Sequence, residues 1–404
     1  MRKKLIASVI GLAFAGSTQA ATPNMDEMWE IIQQQQAEIT RLKEQLGENE
    51  TRIKETEVKA EATVAAVEQL SAAPVSSSLS LGKTSIGGYG EHHFNRFEDA
   101  NDQVDAHRFV LYVGHQYSDT VRFFSEVELE HSLSGEGKPG EVELEQAYIE
   151  WDFADNHRVQ MGQFLVPVGI LNETHEPDTF FGTERNQVEK NIIPATWWET
   201  GVNVLGEIAP GLSYNLALHS GLEIDTDAGK TKVRDGRQKS AKAVAEDLAF
   251  TARLKYTGIA GLELATTFQH QQDVTQGILG DDAEGNLFEA HAAYKSGPFG
   301  LRALYASWDI DGSAFEANGS DEQEGWFVEP SYMITESLGT FVRYSEFNNN
   351  AGVSTSTDSE VWDYGINYWL TPNVVLKADY TDFVNDNSGT DKDAFNLGIG
   401  WSFN

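Results

Sequence analysis

The stretch VPVGILNETHEPDTFFGTERNQVEKNIIPATW, residues 166 to 197, sets Glu173, Glu176, Asp178, Glu184 and Glu189 against Arg185 and Lys190. Carboxylates this close in sequence either ligate a divalent cation or shape the potential through which ions and polar solutes pass. His175, Glu176 and Asp178 have the types for the first role, yet in a flexible polar loop their solvated state is the simpler reading. No metal ion and no cofactor is expected. An uninterrupted loop of this length is usually functional. Folded into a pore, the loop between 167 and 198 would narrow it and add net negative charge, which favours cations; the other reading is an outer lid or a contact between protomers.

Other chemistries find less support. LGKTS at 81 to 85 mimics the end of a phosphate-binding loop, but that motif needs Gly five residues before Gly82, where Ser77 stands. His92 and His93 are neighbours on a strand and point to opposite faces, so they do not ligate one ion together. Neither G-x-S-x-G nor a zinc-protease signature occurs, and no enzyme is expected. With 63 acidic against 29 basic residues the chain carries a formal charge of −34, which excludes nucleic acid as a partner because binding there needs clustered Lys and Arg. It has no cysteine, so no disulfide holds it.

The elements that must carry this loop have a period of two. HRFVLYVGHQYS puts Phe109, Leu111 and Val113 on one face, LSYNLALHS puts Leu212, Tyr214, Leu216 and Leu218 there, and VWDYGINYWL puts Trp362, Tyr364, Ile366, Tyr368 and Leu370. The opposite faces are polar. Short connections at 117–120, 153–156, 209–211, 258–261, 297–300, 334–337 and 371–373 alternate with long polar ones near 96–106, 132–142, 167–198, 223–246, 273–286, 310–323, 348–358 and 385–392. That alternation predicts an all-β fold: a sixteen-stranded antiparallel transmembrane β-barrel over 83–404, with short periplasmic turns, an apolar outside and a polar lumen. A soluble β-sandwich would also alternate, but has no reason to alternate its loop lengths. Trp151, Phe153, Trp197, Trp198, Trp369 and Trp401 are expected as girdle residues at the lipid interface. The polar faces then line the pore with Arg108, Arg122, Arg253, Lys255, Lys295, Arg343 and Lys377 against Glu126, Glu128, Glu130, Glu150, Asp152, Glu263, Glu289, Asp363 and Asp379.

Ahead of the barrel, residues 1–20 form a basic, apolar, small-residue leader with the pattern of a cleaved signal peptide. Residues 21–70 form a helical stalk with Met25, Ile32, Ile39, Leu46, Ile53, Ala60 and Val67 at one heptad position, and Met28, Gln35, Leu42, Asn49, Thr56, Thr63 and Leu70 at the second. Ile32, Ile39, Leu42, Leu46, Asn49 and Ile53 are the central residues of a coiled coil, read as trimeric rather than dimeric. Residues 71–82 are a linker of small residues.

The run GQFLVPVGILNETHEPDTFFGTERNQVEKNIIPATWWETGV at 162–202, with SIGGYGEHHFN at 85–95 and FNLGIGWSF at the end, resembles the phosphate-selective porin O and P family. The resemblance implies a trimeric sixteen-stranded porin in the outer membrane of a Gram-negative bacterium, passing small hydrophilic solutes or ions, and phosphate-binding members use a ladder of arginines and a lysine cluster to which no run here corresponds. Asn396, Gly398, Trp401 and Phe403 resemble the C-terminal signal read by the barrel-assembly machinery. Three functions follow: a passive diffusion channel, a porin specific for phosphate or organic anions, or a tether whose periplasmic stalk contacts peptidoglycan or another periplasmic partner.

Overall fold

The computed structural model describes residues 83–98, 100–280, 282–353, 357–385 and 393–403, together with positions 29, 33, 36, 40 and 41. The chain divides into two units, Met1–Val75 and Ser76–Asn404. In the first, the described positions are helical and Thr40 Oγ1 donates to the Gln36 carbonyl at 2.9 Å. The leader, the linker and the heptad residues Ile32, Ile39, Leu42, Leu46, Asn49 and Ile53 lie outside the described residues.

The second unit is a closed antiparallel barrel. Its strands are β1 Thr84–Phe97, β2 Gln103–Gln116, β3 Val121–Glu130, β4 Val142–Ala154, β5 His157–Leu165, β6 Trp198–Ala209, β7 Leu212–His219 and β8 Ala249–Ile259, then β9 Leu262–Gln271, β10 Glu284–Ser296, β11 Phe299–Asp311, β12 Glu322–Met333, β13 Leu338–Asn348, β14 Ser359–Thr371, β15 Val374–Asn385 and β16 Ala394–Phe403. Each strand pairs with its sequence neighbour, and β1 pairs with β16 from Gly88↔Phe403 to Phe97↔Ala394, which leaves no free edge. Short and long connections alternate around the ring as the sequence pattern requires. In β9, Leu264 and Phe268 are 42% and 45% exposed while Thr267 and Gln269 at the alternate positions are 1% and 0% exposed, so the apolar row points outward and the polar row inward. Phe109, Leu111, Leu216, Leu218, Leu254, Ile366, Leu376, Leu397 and Ile399 continue the same outer band. Among the described residues no helix is long and apolar enough to cross a membrane.

One irregularity matters later. Glu91 pairs with Arg108 but His93 pairs with Asp105, so β2 holds one extra residue there, and this bulge brings His107 and Arg108, adjacent in sequence, to the same side of the sheet.

Two expectations are corrected. Trp197 and Trp198 are not girdle residues: both are buried, Trp197 Nε1 donates to Glu199 Oε1 at 2.9 Å, and the Lys239 ammonium stands 6.0 Å from the Trp198 ring. Trp197 ends the inward-folded loop, where Glu199 supplies the partner that a buried indole N–H needs, whereas Trp198 opens β6 on the same side as the exposed Val202 and is covered there by Lys239. Trp151 and Phe153 are exposed and Trp401 half-exposed, but Trp369 is no girdle residue either: it lines the interior, its ring 5.7 Å from Phe181 of the loop. Nor do the small residues of β16 face open water. A Cβ on Gly398 would stand 3.1 Å from Thr183 and one on Gly400 2.4 Å from Pro177, because the loop 166–197 lies against them.

That loop shares a hydrophobic core with the long-loop end of the barrel. Val166, Val168, Val188, Ile192, Ile193 and Trp197 pack with Leu222, Ile224 and Val233 of the loop after β7 and with Leu287, Leu304, Trp308, Phe327 and Phe347 of the wall.

Candidate functional site

The loop is held first by itself. Val166 N donates to the Trp197 carbonyl at 3.0 Å, and Asn172 ties the two ends together, its amide nitrogen donating to both carbonyls at 2.8 and 2.9 Å and its oxygen accepting from Trp197 N at 2.7 Å. A short helix, α1 Gln187–Asn191, opens on Asn186, whose side-chain oxygen accepts from Glu189 N at 2.8 Å while its amide donates to Glu189 Oε2 at 2.7 Å. Glu189 is fully buried and also accepts from Ile170 N and Leu171 N at 2.7 and 2.6 Å. Burial raises its carboxyl pKa, and these donors pull it back. Its carboxylate braces the loop instead of facing a pore. Gly169, at φ +71°, supplies the left-handed turn that Glu189 closes: a Cβ there would meet Glu189 Oε1 at 2.5 Å.

The loop then reaches the wall on every side. Glu173 pairs with Arg253 of β8. Tyr112 of β2 donates to Glu176 at 3.2 Å, and Ser402 of β16 to Asp178 at 2.8 Å. Glu184 Oε1 lies 3.1 Å from His93 Nδ1 of β1. Lys377 of β15 donates to the Gly182 carbonyl at 2.8 Å with its ammonium 3.6 Å from the Phe180 ring, and Asp379 accepts from Thr183 N at 2.6 Å. Arg343 of β13 binds Asp363 at 2.9 Å, Glu329 at 3.1 Å, and the Phe181 and Glu184 carbonyls at 3.3 Å. Trp308 of β11 donates to the Ile192 carbonyl at 3.0 Å.

Many of the charges expected on the wall pair across neighbouring strands. Arg122 binds Glu150 and Asp152 at 2.5 and 2.7 Å; Arg108 binds Glu91 at 2.7 Å and approaches Glu128 at 4.0 Å; Lys255 lies 3.7 Å from Glu263. Glu126 and Glu145 flank His175, at 3.6 and 3.5 Å from its Nε2, and Glu130 groups with Glu141 and Glu143. Burial alone would depress the His175 imidazole, but the two carboxylates outweigh it and raise its pKa to about 10, so the loop inserts a cation into an acidic wall.

The sequence gives an acidic loop and a wall of mixed charge, and the structure shows which partners take up the loop's charges. The loop acids are paired or internal, whereas Arg185 is depressed by burial and by the neighbouring Arg108 and lies within electrostatic range of Glu145 and Glu128. Its Nη1 donates to Thr196 Oγ1 at 2.7 Å, while its Nε and Nη2 have no hydrogen-bond partner among the described residues. Lys190 is exposed. The sequence reading missed Arg234, Arg237 and Lys239, which lie in the loop after β7. Arg234 donates to the Lys190 and Ala195 carbonyls at 2.9 and 2.8 Å, Arg237 to the Thr196 carbonyl at 2.6 Å, and Lys239 pairs with Glu141 at 2.7 Å. The cluster R-D-G-R-Q-K at 234–239 was a basic signal in an acidic chain.

Toward the short-turn end the loop roofs a cavity of about 1820 Å³, lined by Arg122, Arg158, Arg253, Lys255, Lys295 and Arg302 and by Asp152, Asp155, Glu173, Asp178, Glu207, Glu263 and Glu336. A smaller one of about 540 Å³ lies between β1–β5 and the loop, beside Glu126, Glu173, His175 and Glu176.

The family model of the phosphate-selective porins O and P matches residues 85–400. An uncharacterized protein of Aquifex aeolicus (strain VF5) is 29% identical over 366 residues, 79% of this chain and 80% of that one. Among solved structures, the anion-selective porin from Comamonas acidovorans superposes with a TM-score of 0.56 at 11% identity, covering 79% of this chain and 99% of that one. The outer membrane channel DcaP of Acinetobacter baumannii does so at 0.55 and 15%, covering 79% and 97%. At these identities the structural likenesses bear on the fold.

Proposed function

The chain belongs to the phosphate-selective porin O and P family, and on that premise we propose that it is an outer-membrane porin of a Gram-negative bacterium through which small hydrophilic solutes and ions diffuse passively. Loop 167–198 is its constriction. The observation that carries this reading is the loop's docking on inner-face side chains from β1, β2, β8, β11, β13, β15 and β16, which a lid or a protomer contact would not make. Acids of β3 and β4 on one side, with Arg185, Arg234 and Arg237 on the other, set a field across the lumen that orients dipolar solutes.

The test is a planar-bilayer recording of the purified protein. Arg185→Glu should move the reversal potential in a salt gradient toward cation selectivity. A protein that conducts nothing ends the channel reading, and an unchanged reversal potential removes Arg185 from the constriction.

A second reading, a porin specific for phosphate or an organic anion, is favoured by the open hydrogen-bonding capacity of Arg185. Saturation of conductance by inorganic phosphate would select it. The assembly we favour is a homotrimer whose coiled-coil stalk, through Ile32, Ile39, Leu42, Leu46, Asn49 and Ile53, lies in the periplasm after loss of residues 1–20. Deleting 22–74 asks whether the stalk is needed for trimers or tethers the barrel to peptidoglycan. Asn396, Gly398, Trp401 and Phe403 would be read by the barrel-assembly machinery, so deleting Phe403 should lower the yield of folded barrel more than deleting Asn404.

A further inference from the structure

At the long-loop mouth, away from the two cavities, three histidines and two carboxylates converge. The β2 bulge puts Asp105 opposite His93 and keeps His107 on the same side. His131 follows β3, and its backbone N–H donates to the His107 carbonyl at 3.1 Å with φ at +48°, in the left-handed region. The chain thereby aims two imidazoles at one oxygen: His107 Nδ1 lies 3.1 Å and His131 Nδ1 2.8 Å from Asp105 Oδ2. Both rings and the carboxylate are between 23% and 33% exposed, open to an ion from the mouth.

We propose that Asp105, His107 and His131 bind one divalent transition-metal ion of the zinc class. Imidazole nitrogen with carboxylate oxygen is the donor set that such ions take and that the harder Ca²⁺ and Mg²⁺ do not. Tetrahedral bonds of about 2.0 Å hold ligand atoms about 3.3 Å apart; the three atoms here lie within 4.8 Å of one another, two of the separations already near that value. Behind the triad stands a second, sharing His107: His93, stacked on the His107 ring at 4.3 Å, and Glu184 of the inward loop. The metal is thus tied to the loop through His93 and Glu184. The nearby cation Arg108 is already engaged by Glu91 at 2.7 Å. The sequence hides this site because His107 and Arg108 read as facing opposite ways.

The experiment uses the full chain, folded in detergent, stripped with a chelator and titrated calorimetrically with ZnCl₂. One ion should bind per chain, and His131→Ala and Asp105→Asn should each weaken binding by about 100-fold, the upper end of what losing even an outer ligand partner costs. Glu126→Gln, which alters the separate Glu126, Glu145 and His175 cluster, should leave the affinity unchanged. Heat-modifiable gel mobility shows that each variant is folded. The proposal is overturned if the unmutated protein shows no saturable binding, if both mouth variants bind as it does, or if Glu126→Gln rather than His131→Ala abolishes binding. The site stands whether or not the barrel conducts.

Discussion

Where the loop 166–197 leans on β10 to β13 near the long-loop end, it meets Leu287, Leu304, Trp308, Phe327 and Phe347. Where it leans on β1 to β4 and β13 to β16, it meets His93, Tyr112, Glu126, Arg343, Lys377 and Asp379. The first half holds by area, at roughly 25 cal/mol per Å² of apolar surface and with no preferred direction. The second holds by geometry, one donor to one acceptor, and fails sharply when a partner is removed. Anchorage and charge are therefore separable: the apolar half fixes the loop, and the charged half leaves some groups without a full set of partners, Arg185 above all.

The largest break should come from the charged half. Arg343 and its partners Glu329 and Asp363 are all less than 7% exposed, so Arg343→Ala removes the counter-cation from two buried carboxylates, of which Asp363 keeps the Thr381 hydroxyl at 2.8 Å, and a donor from two loop carbonyls. A loss of about 3–5 kcal/mol is expected, seen as a lower unfolding temperature and as larger, noisier single-channel currents once Phe181 and Glu184 are released. An unchanged current with lowered stability would move the gate elsewhere. Next is Leu222→Ala in the apolar half. Leu222 is fully buried against the loop, and its truncation should cost about 3 kcal/mol while leaving the reversal potential where it was. A selectivity change there would show that anchorage and field are coupled after all.

The barrel was legible in sequence because its cause is local. Alternation in segments such as LSYNLALH, with turn lengths switching between short and long, leaves no other way to pair every strand. The loop was legible as an object, from its length and charges, but not as a docked one. Phe181 and Arg343 are 162 positions apart, and nothing in either neighbourhood names the other. The two tryptophans misled for a related reason: Trp197 is turned inward by its own loop and Trp198 is covered by Lys239 of the loop after β7, neither of which the local sequence names. The mouth histidines were hidden by one extra residue in β2, since a period-two reading has no signal for a bulge.

Arg234 lies between the two extremes. It bridges the loop after β7 to the Lys190 and Ala195 carbonyls by charge-assisted bonds, so Arg234→Ala should cost about 2 kcal/mol. It also subtracts one positive charge from the path, and the reversal potential should move in the same direction as for Arg185→Glu, by less. A shift larger than that of Arg185→Glu would make the second long loop, not the first, the main source of the field.

The smallest effect is expected at the last strand. Ser402 Oγ donates to Asp178 Oδ2 at 2.8 Å and accepts from Asn373 Nδ2 at 3.1 Å, near the short-turn end, where Ser402 and Asp178 are half-buried and Asn373 is exposed. Ser402→Ala removes one hydroxyl donor from a half-buried contact and should cost about 1 kcal/mol. The contrast with Arg343→Ala is the point of making it. Both substitutions cut the loop from the charged half, one at a fully buried contact and one at a half-buried one, so the ratio of their effects on unfolding temperature measures how far the anchorage depends on exclusion of water. Equal effects would mean that the dry contact at Arg343 is solvated in the working protein, and that the apolar half alone keeps the loop in place.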